Sequence, residues 1–384
     1  MKNQLFKISC ICLLLRTIAQ GLLPLLPVFA ANTGVNKLMI GIYMTVTFIF
    51  LLAGSYSMSK VSKYNKFNLK TIVIISGFVT SMLLILMGFT NSFFTLLAVT
   101  ASIWFFEGVT ITTLNIITGV VTEKGKSGRA FGIIAIVNLS GTILGGFIVG
   151  PAIQYMGKSH AFLLLGAINL LSIIIAGFLK VPKSTVAEAT SLPTIKFTFQ
   201  KPYRNVLFAL VFATLVLHFI KMALSLSMKD NGYSLSQIST CGSYGTMLAF
   251  PFAYYMGSLA DKYSKKALLL ICLSGGVIAS ICYHFNSIYI LAIMTIFSVS
   301  FIAYCIKGVV SSIIIHFYRD NTFKQALAWF DVTSWFGAIL GYALSGIILQ
   351  QFGFKTIGYT AFILSVVSVI IVSFGFKIEK LKLT

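Results

Sequence analysis

The chain has 384 residues, 58% hydrophobic and only 10% charged, against about 25% charged in an average soluble domain. Its 29 Lys and Arg outnumber eight Asp and Glu, for a formal charge of +21; in a soluble protein that surplus would indicate nucleic acid or an anionic surface. Apolar runs recur from end to end, which excludes a soluble enzyme and a nucleic-acid partner and leaves the basic residues to mark one side of a bilayer.

A bilayer core about 30 Å thick takes about 20 residues of helix. Runs of that length fall at residues 8–30, 38–58, 70–90, 94–118, 130–153 and 160–180, and again at 203–225, 236–256, 267–285, 289–312, 325–350 and 355–376. The first, apolar from about Phe6 to Ala30, is too long for the core of a cleavable signal and reads as a span. The longest polar interval, Lys180 to Arg204, carries Pro182, Pro193 and Pro202 and reads as a linker. The predicted organisation is a six-helix bundle over 1–180, a cytoplasmic linker over 181–203 and a second six-helix bundle over 204–384.

Charge orients these spans independently of hydropathy, because short loops rich in Lys and Arg stay cytoplasmic. Of the 29 basic residues, 22 fall in the termini and even-numbered loops and four, Lys37, Lys158, Lys229 and Lys355, in the odd-numbered loops. Both termini are therefore expected inside. A missed or invented span would scramble that alternation.

The two halves also repeat. Gly141, Gly145, Gly150 and Gly157 share their spacing with Gly337, Gly341, Gly346 and Gly353; Glu107-Gly108-Val109 answers to Lys307-Gly308-Val309, and Gly54 to Gly257. Internal repeats of this kind are expected of secondary transporters. Small residues also serve simply to let membrane helices pack closely. The expected fold class is thus an all-α polytopic membrane protein, with twelve transmembrane helices in two pseudo-symmetric bundles.

These residues resemble the major facilitator superfamily, in which two six-helix bundles rock around a central site. The segment from Gly257 through Asp261 and Lys262 to Lys265 and Lys266 is similar to that family's cytoplasmic loop signature. The resemblance implies a conformational gate there, with Asp261 accepting hydrogen bonds from a helix end and the lysines facing lipid headgroups. The equivalent first-half loop, Gly54 to Lys63, has no Asp in the matching place. Within the superfamily, Gly21, Pro24 and Pro27 in the first span, and Gly141, Gly145, Gly146, Gly150 and Pro151 in the fifth, resemble the drug and metabolite:proton antiporters, and the fifth-span residues are expected to belong to the gating machinery. Such exporters usually carry an Arg in the fourth span, where this chain reads Trp104-Phe105-Phe106-Glu107-Gly108.

Five ionisable residues, Arg16, Glu107, Lys221, Lys307 and Asp331, lie inside predicted spans, with His218 one turn before Lys221. A central Arg, Lys or Asp facing lipid costs about 2.5–3.5 kcal/mol on insertion scales, so these should face the interior or one another. The resemblance places the first, fourth, seventh and tenth helices around the transport path, and with them Arg16, Glu107, Lys221 and Lys307. Glu107 is expected to meet Arg16 and to carry the coupled proton. A dry cavity favours the neutral carboxyl and a nearby cation the charged one, so alternating exposure would change its state. Asp331 is either a second coupling acid or a helix-end anchor. Lys221 and Lys307 either line the path or snorkel to the interface, and His218 either lines it or packs between helices. Trp104, Phe105, Phe106, Tyr43 and Tyr304 offer apolar contact to substrate or to lipid. Arg16 and Lys221 read as an approximately symmetric basic pair, as in phosphate-ester antiporters of the same superfamily. Three interior cations against two acids suit an anionic or zwitterionic substrate, in competition with an amphipathic drug.

The expected function is secondary active transport, as a proton-coupled exporter in the plasma membrane. The implied partners are the bilayer, a small-molecule substrate and protons, with one chain sufficient to form the site. No nucleotide-binding Gly-rich loop followed by Lys and Ser/Thr occurs, so no ATP is expected. Nor is a cofactor or a metal expected: the six cysteines form no CxxC, and the four histidines, at 160, 218, 284 and 316, are scattered. That scatter also weighs against the competing class, a membrane receptor or lipid-modifying enzyme.

Overall fold

The computed structural model describes residues 2–61, 68–122, 127–181, 198–318 and 320–376. Every element is helical: α1 (Lys2–Leu22), α2 (Leu26–Asn32), α3 (Lys37–Val61), α4 (Leu69–Met87), α5 (Phe93–Val121), α6 (Ser127–Met156), α7 (Lys158–Gly177), α8 (Lys201–Asp230), α9 (Leu235–Lys262), α10 (Lys265–His284), α11 (Tyr289–Phe317) and α12 (Asp320–Gly375). Helices are what an apolar chain in lipid must form, since they satisfy every backbone N–H and C=O internally.

Element and span numbers differ at two places. The first predicted span is interrupted between α1 and α2, where Pro24 lies in the break and Pro27 in the first turn of α2; proline lacks the N–H that a helix interior needs but is tolerated in a first turn. Conversely, α12 is two helices meeting at Gly353, whose φ of 75° breaks the helical path. Among the described residues ten helices, α12 included, are long and apolar enough to cross a membrane. Counting α12 as two and adding α9 gives the twelve predicted spans.

The chain divides into two compact units. The first comprises 1–36, 43–192 and 232–243, the second 37–42, 193–231 and 244–384. Of the expected linker 181–203, residues 182–197 lie outside the described ones. Inside the first unit α1 packs on α6, and α4 on α5 and α7; inside the second α8 packs on α12, and α10 on α11 and α12. The scheme is the same in both.

The repeat reaches the backbone. Gly157, between α6 and α7, and Gly353 have φ of 79° and 75°; Gly34, after α2, and Gly232, after α8, have 82° and 80°. Both pairs occupy corresponding joints. Asn68 caps α4 by accepting from the Lys70 N–H at 3.0 Å, and Ser264 caps α10 by accepting from the Ala267 N–H at 3.4 Å. The Lys70 ammonium donates to the carbonyl of Gly177 at the end of α7, and the Lys266 ammonium to that of Ser373 near the end of α12. A cation on the last carbonyls complements the helix dipole and satisfies an orphan acceptor.

Large apolar side chains such as Phe94, Ile174, Phe285 and Phe374 stay exposed around both units, as a lipid-facing surface requires.

Candidate functional site

Glu107 sits midway along α5, a helix started by Ser92, whose hydroxyl accepts from the Thr95 N–H at 3.3 Å. Its position is set by Gly108. A Cβ there would overlap the carbonyl of Leu51 on α3, and one on Gly54 would overlap that of Phe105 on α5. The two glycines let α3 and α5 cross with their backbones almost touching, and Ser55 donates to the Gly108 carbonyl at 3.3 Å. Glu107 is only 6% exposed and Trp104, one turn earlier, 4%.

Arg16, half-buried on α1, is the charged group acting on Glu107; Cys12, one turn earlier on α1, feels both. The expected meeting takes the form of an interaction through space. Among the described residues the ion pair within 4.0 Å is Lys37 with Asp230, not Arg16 with Glu107. Arg16 is held by the glycine face of α6: a Cβ on Gly141 would lie 2.7 Å from the Arg16 Cβ, and one on Gly145 would overlap the Thr17 carbonyl. Gly146 and Gly150 face elsewhere, onto Ser239 in the 232–243 segment of this unit. Pro151 continues α6 as an interior residue.

In the second unit the predicted residues form two groups. Lys307 on α11 acts electrostatically on Asp331 on α12, and both are exposed. Tyr304, half-buried, lies one turn before Lys307. The other group is His218 and Lys221 on α8, both half-buried. The His218 ring stacks edge-on against Tyr342 at 5.2 Å, its Nδ1 is 2.9 Å from the Thr214 carbonyl, and a Cβ on Gly341 would come within 3.1 Å of its Cβ. His218 packs α8 on α12.

The symmetric pairing of Arg16 with Lys221 does not hold. Gly141 faces Arg16 and the Thr17 N–H; its repeat partner Gly337 faces Thr214 and the Leu215 N–H. The helix packing therefore matches Arg16 to Thr214. Lys221 lies seven residues further along α8, a displacement of about 10 Å.

Of the expected gate residues, Lys262 is exposed in the last turn of α9 and Lys265 begins α10. Lys266 is turned inward, bonded to Ser373 at 2.6 Å, instead of facing headgroups, because a helix-end carbonyl is within its reach. The side chains at Gly257 and Asp261 lie outside the described residues.

Two polar residues at this site were missed in the sequence. Thr80 on α4 and Asn169 on α7 join Glu107 and Trp104 around a cavity of about 10 Å³ inside the first unit, walled also by Ile18 and Leu84. Their signal was present, an Asn and a Thr within long apolar runs, but such residues are common in membrane helices and sequence gives no facing. Tyr43 is likewise placed structurally, its hydroxyl 2.9 Å from that of Thr100 in a buried α3–α5 contact.

The multi-drug resistance efflux pump PmrA of Streptococcus pneumoniae is 25% identical over 258 residues, 65% of this chain, and the match spans 64% of that relative's length. A PmrA homolog of Lactococcus lactis is 24% identical over 160 residues, 38% of this chain and 39% of its own. Among solved structures, the nucleoside transporter NupG superposes with a TM-score of 0.76 at 14% identity, over 98% of this chain and 100% of that one. An inward-facing, occupied bacterial homolog of the human lysosomal transporter Spinster gives 0.72 at 13%, over 97% and 95%. At these identities the structures show a shared fold. The profile of the Major Facilitator Superfamily matches residues 8–220 and 206–382, and the chain belongs to that superfamily.

Proposed function

We propose that the protein is a proton-coupled secondary transporter that exports a small amphipathic or anionic molecule across the plasma membrane by alternating access. The observation that carries this reading is Glu107, a carboxyl 6% exposed in mid-membrane, within the field of Arg16 but not paired with it inside 4.0 Å. A buried acid with a nearby, unclamped cation can exchange a proton with a substrate anion: protonation of Glu107 frees Arg16 to hold the anion, and loss of the proton draws Arg16 back. Binding of proton and substrate is then linked through one side chain. The efflux-pump names of the relatives at 25% and 24% identity support export, as does the glycine face of α6. Energy comes from a gradient or from exchange. No covalent chemistry is involved, and one chain carries the whole site.

A second reading, an organic-anion or phosphate-ester exchanger or importer of the same fold, is favoured by the excess of Arg16, Lys221 and Lys307 over Glu107 and Asp331. Transport in inverted vesicles under an imposed pH gradient separates the two, with a panel of anionic metabolites and amphipathic cations. Proton-driven accumulation inside inverted vesicles is expected. Gradient-independent exchange of anions would replace the first reading with the second.

A further inference from the structure

Three buried oxygens in the first unit lack a hydrogen-bond partner and line the same cavity: Glu107 Oε1, Thr80 Oγ1 and Asn169 Oδ1. They come from three helices, α5, α4 and α7, and the residues are 6%, 5% and 1% exposed. The orientation of Asn169 is fixed by its neighbours. Its amide nitrogen donates to the Gly77 carbonyl at 3.0 Å and to the Ser81 hydroxyl at 2.9 Å, while Ser81 itself donates to Gly77. Only a nitrogen can donate to that carbonyl, so Oδ1 is the atom left over.

A buried polar atom without a partner costs about 1–3 kcal/mol, and here three share one cavity. The fold alone does not impose all three. Carried through the repeat by the 196 residues that separate corresponding helix starts, Thr80 corresponds to Gly276, Asn169 to Ser365, whose buried hydroxyl is likewise unpartnered, and Glu107 to Ala303. In the second unit a Cβ on Gly276 would lie 2.6 Å from the Ser365 hydroxyl, which also shows how closely the Thr80 and Asn169 positions approach in this architecture.

We infer that the cavity is a binding site for one internal water, held by Glu107, Thr80 and Asn169, and that Thr80 and Asn169 thereby position the Glu107 carboxyl. The volume fits: about 10 Å³ is close to the minimum that admits a single water, and buried waters typically make about three hydrogen bonds. The donor count fits as well. An ionised Glu107 and the Asn169 carbonyl are acceptors and take both water hydrogens; the Thr80 hydroxyl donates to the water oxygen. All three orphan atoms are satisfied by one molecule. A protonated Glu107 becomes a donor to the same water, which then turns to donate to Thr80, so the site serves both states of the carboxyl. The water site stands without any role in transport. What it adds to the coupling reading is a second partner for the carboxyl besides Arg16, supplied through α4 and α7.

The test is structure determination at a resolution that shows ordered water, on the full chain and on Thr80→Val and Thr80→Ser, together with infrared spectra of the protonation of Glu107 in ordinary and ¹⁸O water. A single solvent peak within hydrogen-bond distance of the three oxygens is expected, absent in Thr80→Val and retained in Thr80→Ser. The Glu107 carboxyl band, identified by its loss in Glu107→Gln, should appear with an ¹⁸O-sensitive O–H band, both shifting in Thr80→Val and returning in Thr80→Ser. An empty cavity in the parent protein, a Thr80→Val variant indistinguishable from it, or a peak that follows added sodium overturns the inference. Loss of proton-coupled flux is read separately in Glu107→Gln, so the coupling reading and the water site fail on different measurements.

Discussion

Glu107 and Gly108 are adjacent and answer to different constraints. Gly108 is needed because α3 passes where its side chain would be; Glu107 follows on the inner side of the same turn, buried with Trp104. Arg16 is set by another glycine, Gly141, against its Cβ. If it holds an anionic substrate, Arg16→Gln should lower kcat/KM for anions about tenfold, roughly the 1.4 kcal/mol of one charge-assisted hydrogen bond. Amphipathic cations should be spared. Radiotracer transport with both substrate classes reads the difference, and equal losses would remove Arg16 from substrate recognition. Arg16 and Glu107 were legible in the sequence because charge in an apolar run is expensive and must have a purpose. Thr80 and Asn169 were not, since their burial costs less, and only the packing of α4 on α7 shows that they face the same cavity as Glu107. Lys266 was misjudged for a related reason: its charge was visible, but the Ser373 carbonyl that accepts from it is 107 residues away.

Glycines set how the helices approach. Gly145 meets Gly21 and the Thr17 carbonyl at the α1–α6 contact, whereas Gly132, on the same helix, has open space where a Cβ would stand. Gly145→Val should therefore lower the unfolding temperature in detergent by several degrees, and Gly132→Ala should leave it unchanged or raise it slightly, since alanine is the better helix former. Matching losses in the two variants would mean that the α1–α6 contact is not this tight. Gly157 and Gly353 act through conformation: at φ of 79° and 75° with extended ψ they occupy a region open essentially to glycine alone. Alanine at either should cost about 1–3 kcal/mol, read as a shift in the denaturation midpoint. The spacing of these glycines was visible in the sequence. Their separate duties, Gly141 and Gly145 toward α1 but Gly146 and Gly150 toward the 232–243 segment, were not, because a repeat of small residues does not say which neighbour each admits.

For the whole molecule, the basic surplus has a double use. Distributed over the loops it is expected to orient the chain, and at two related points, Lys70 and Lys266, it also ties the third helix of a bundle to the end of the sixth. Labelling of single cysteines in intact cells checks the orientation: Lys229→Cys and Lys355→Cys should react with an impermeant reagent from outside, and Lys262→Cys only after the membrane is opened. The reverse pattern would invert the topology. Twelve spans and a two-fold repeat could be read from hydropathy and charge because lipid leaves few alternatives; the break at Gly353 and the interruption at Pro24 follow from the same residues. On the proposed function, Glu107 couples proton movement to transport. Its most direct test is proton flux in proteoliposomes holding the parent protein or Glu107→Gln, recorded with an internal pH dye as a transported substrate is added. The parent should move protons on substrate addition and Glu107→Gln should move none above background. Undiminished substrate-dependent proton flux in Glu107→Gln would mean that Glu107 is not the coupling acid.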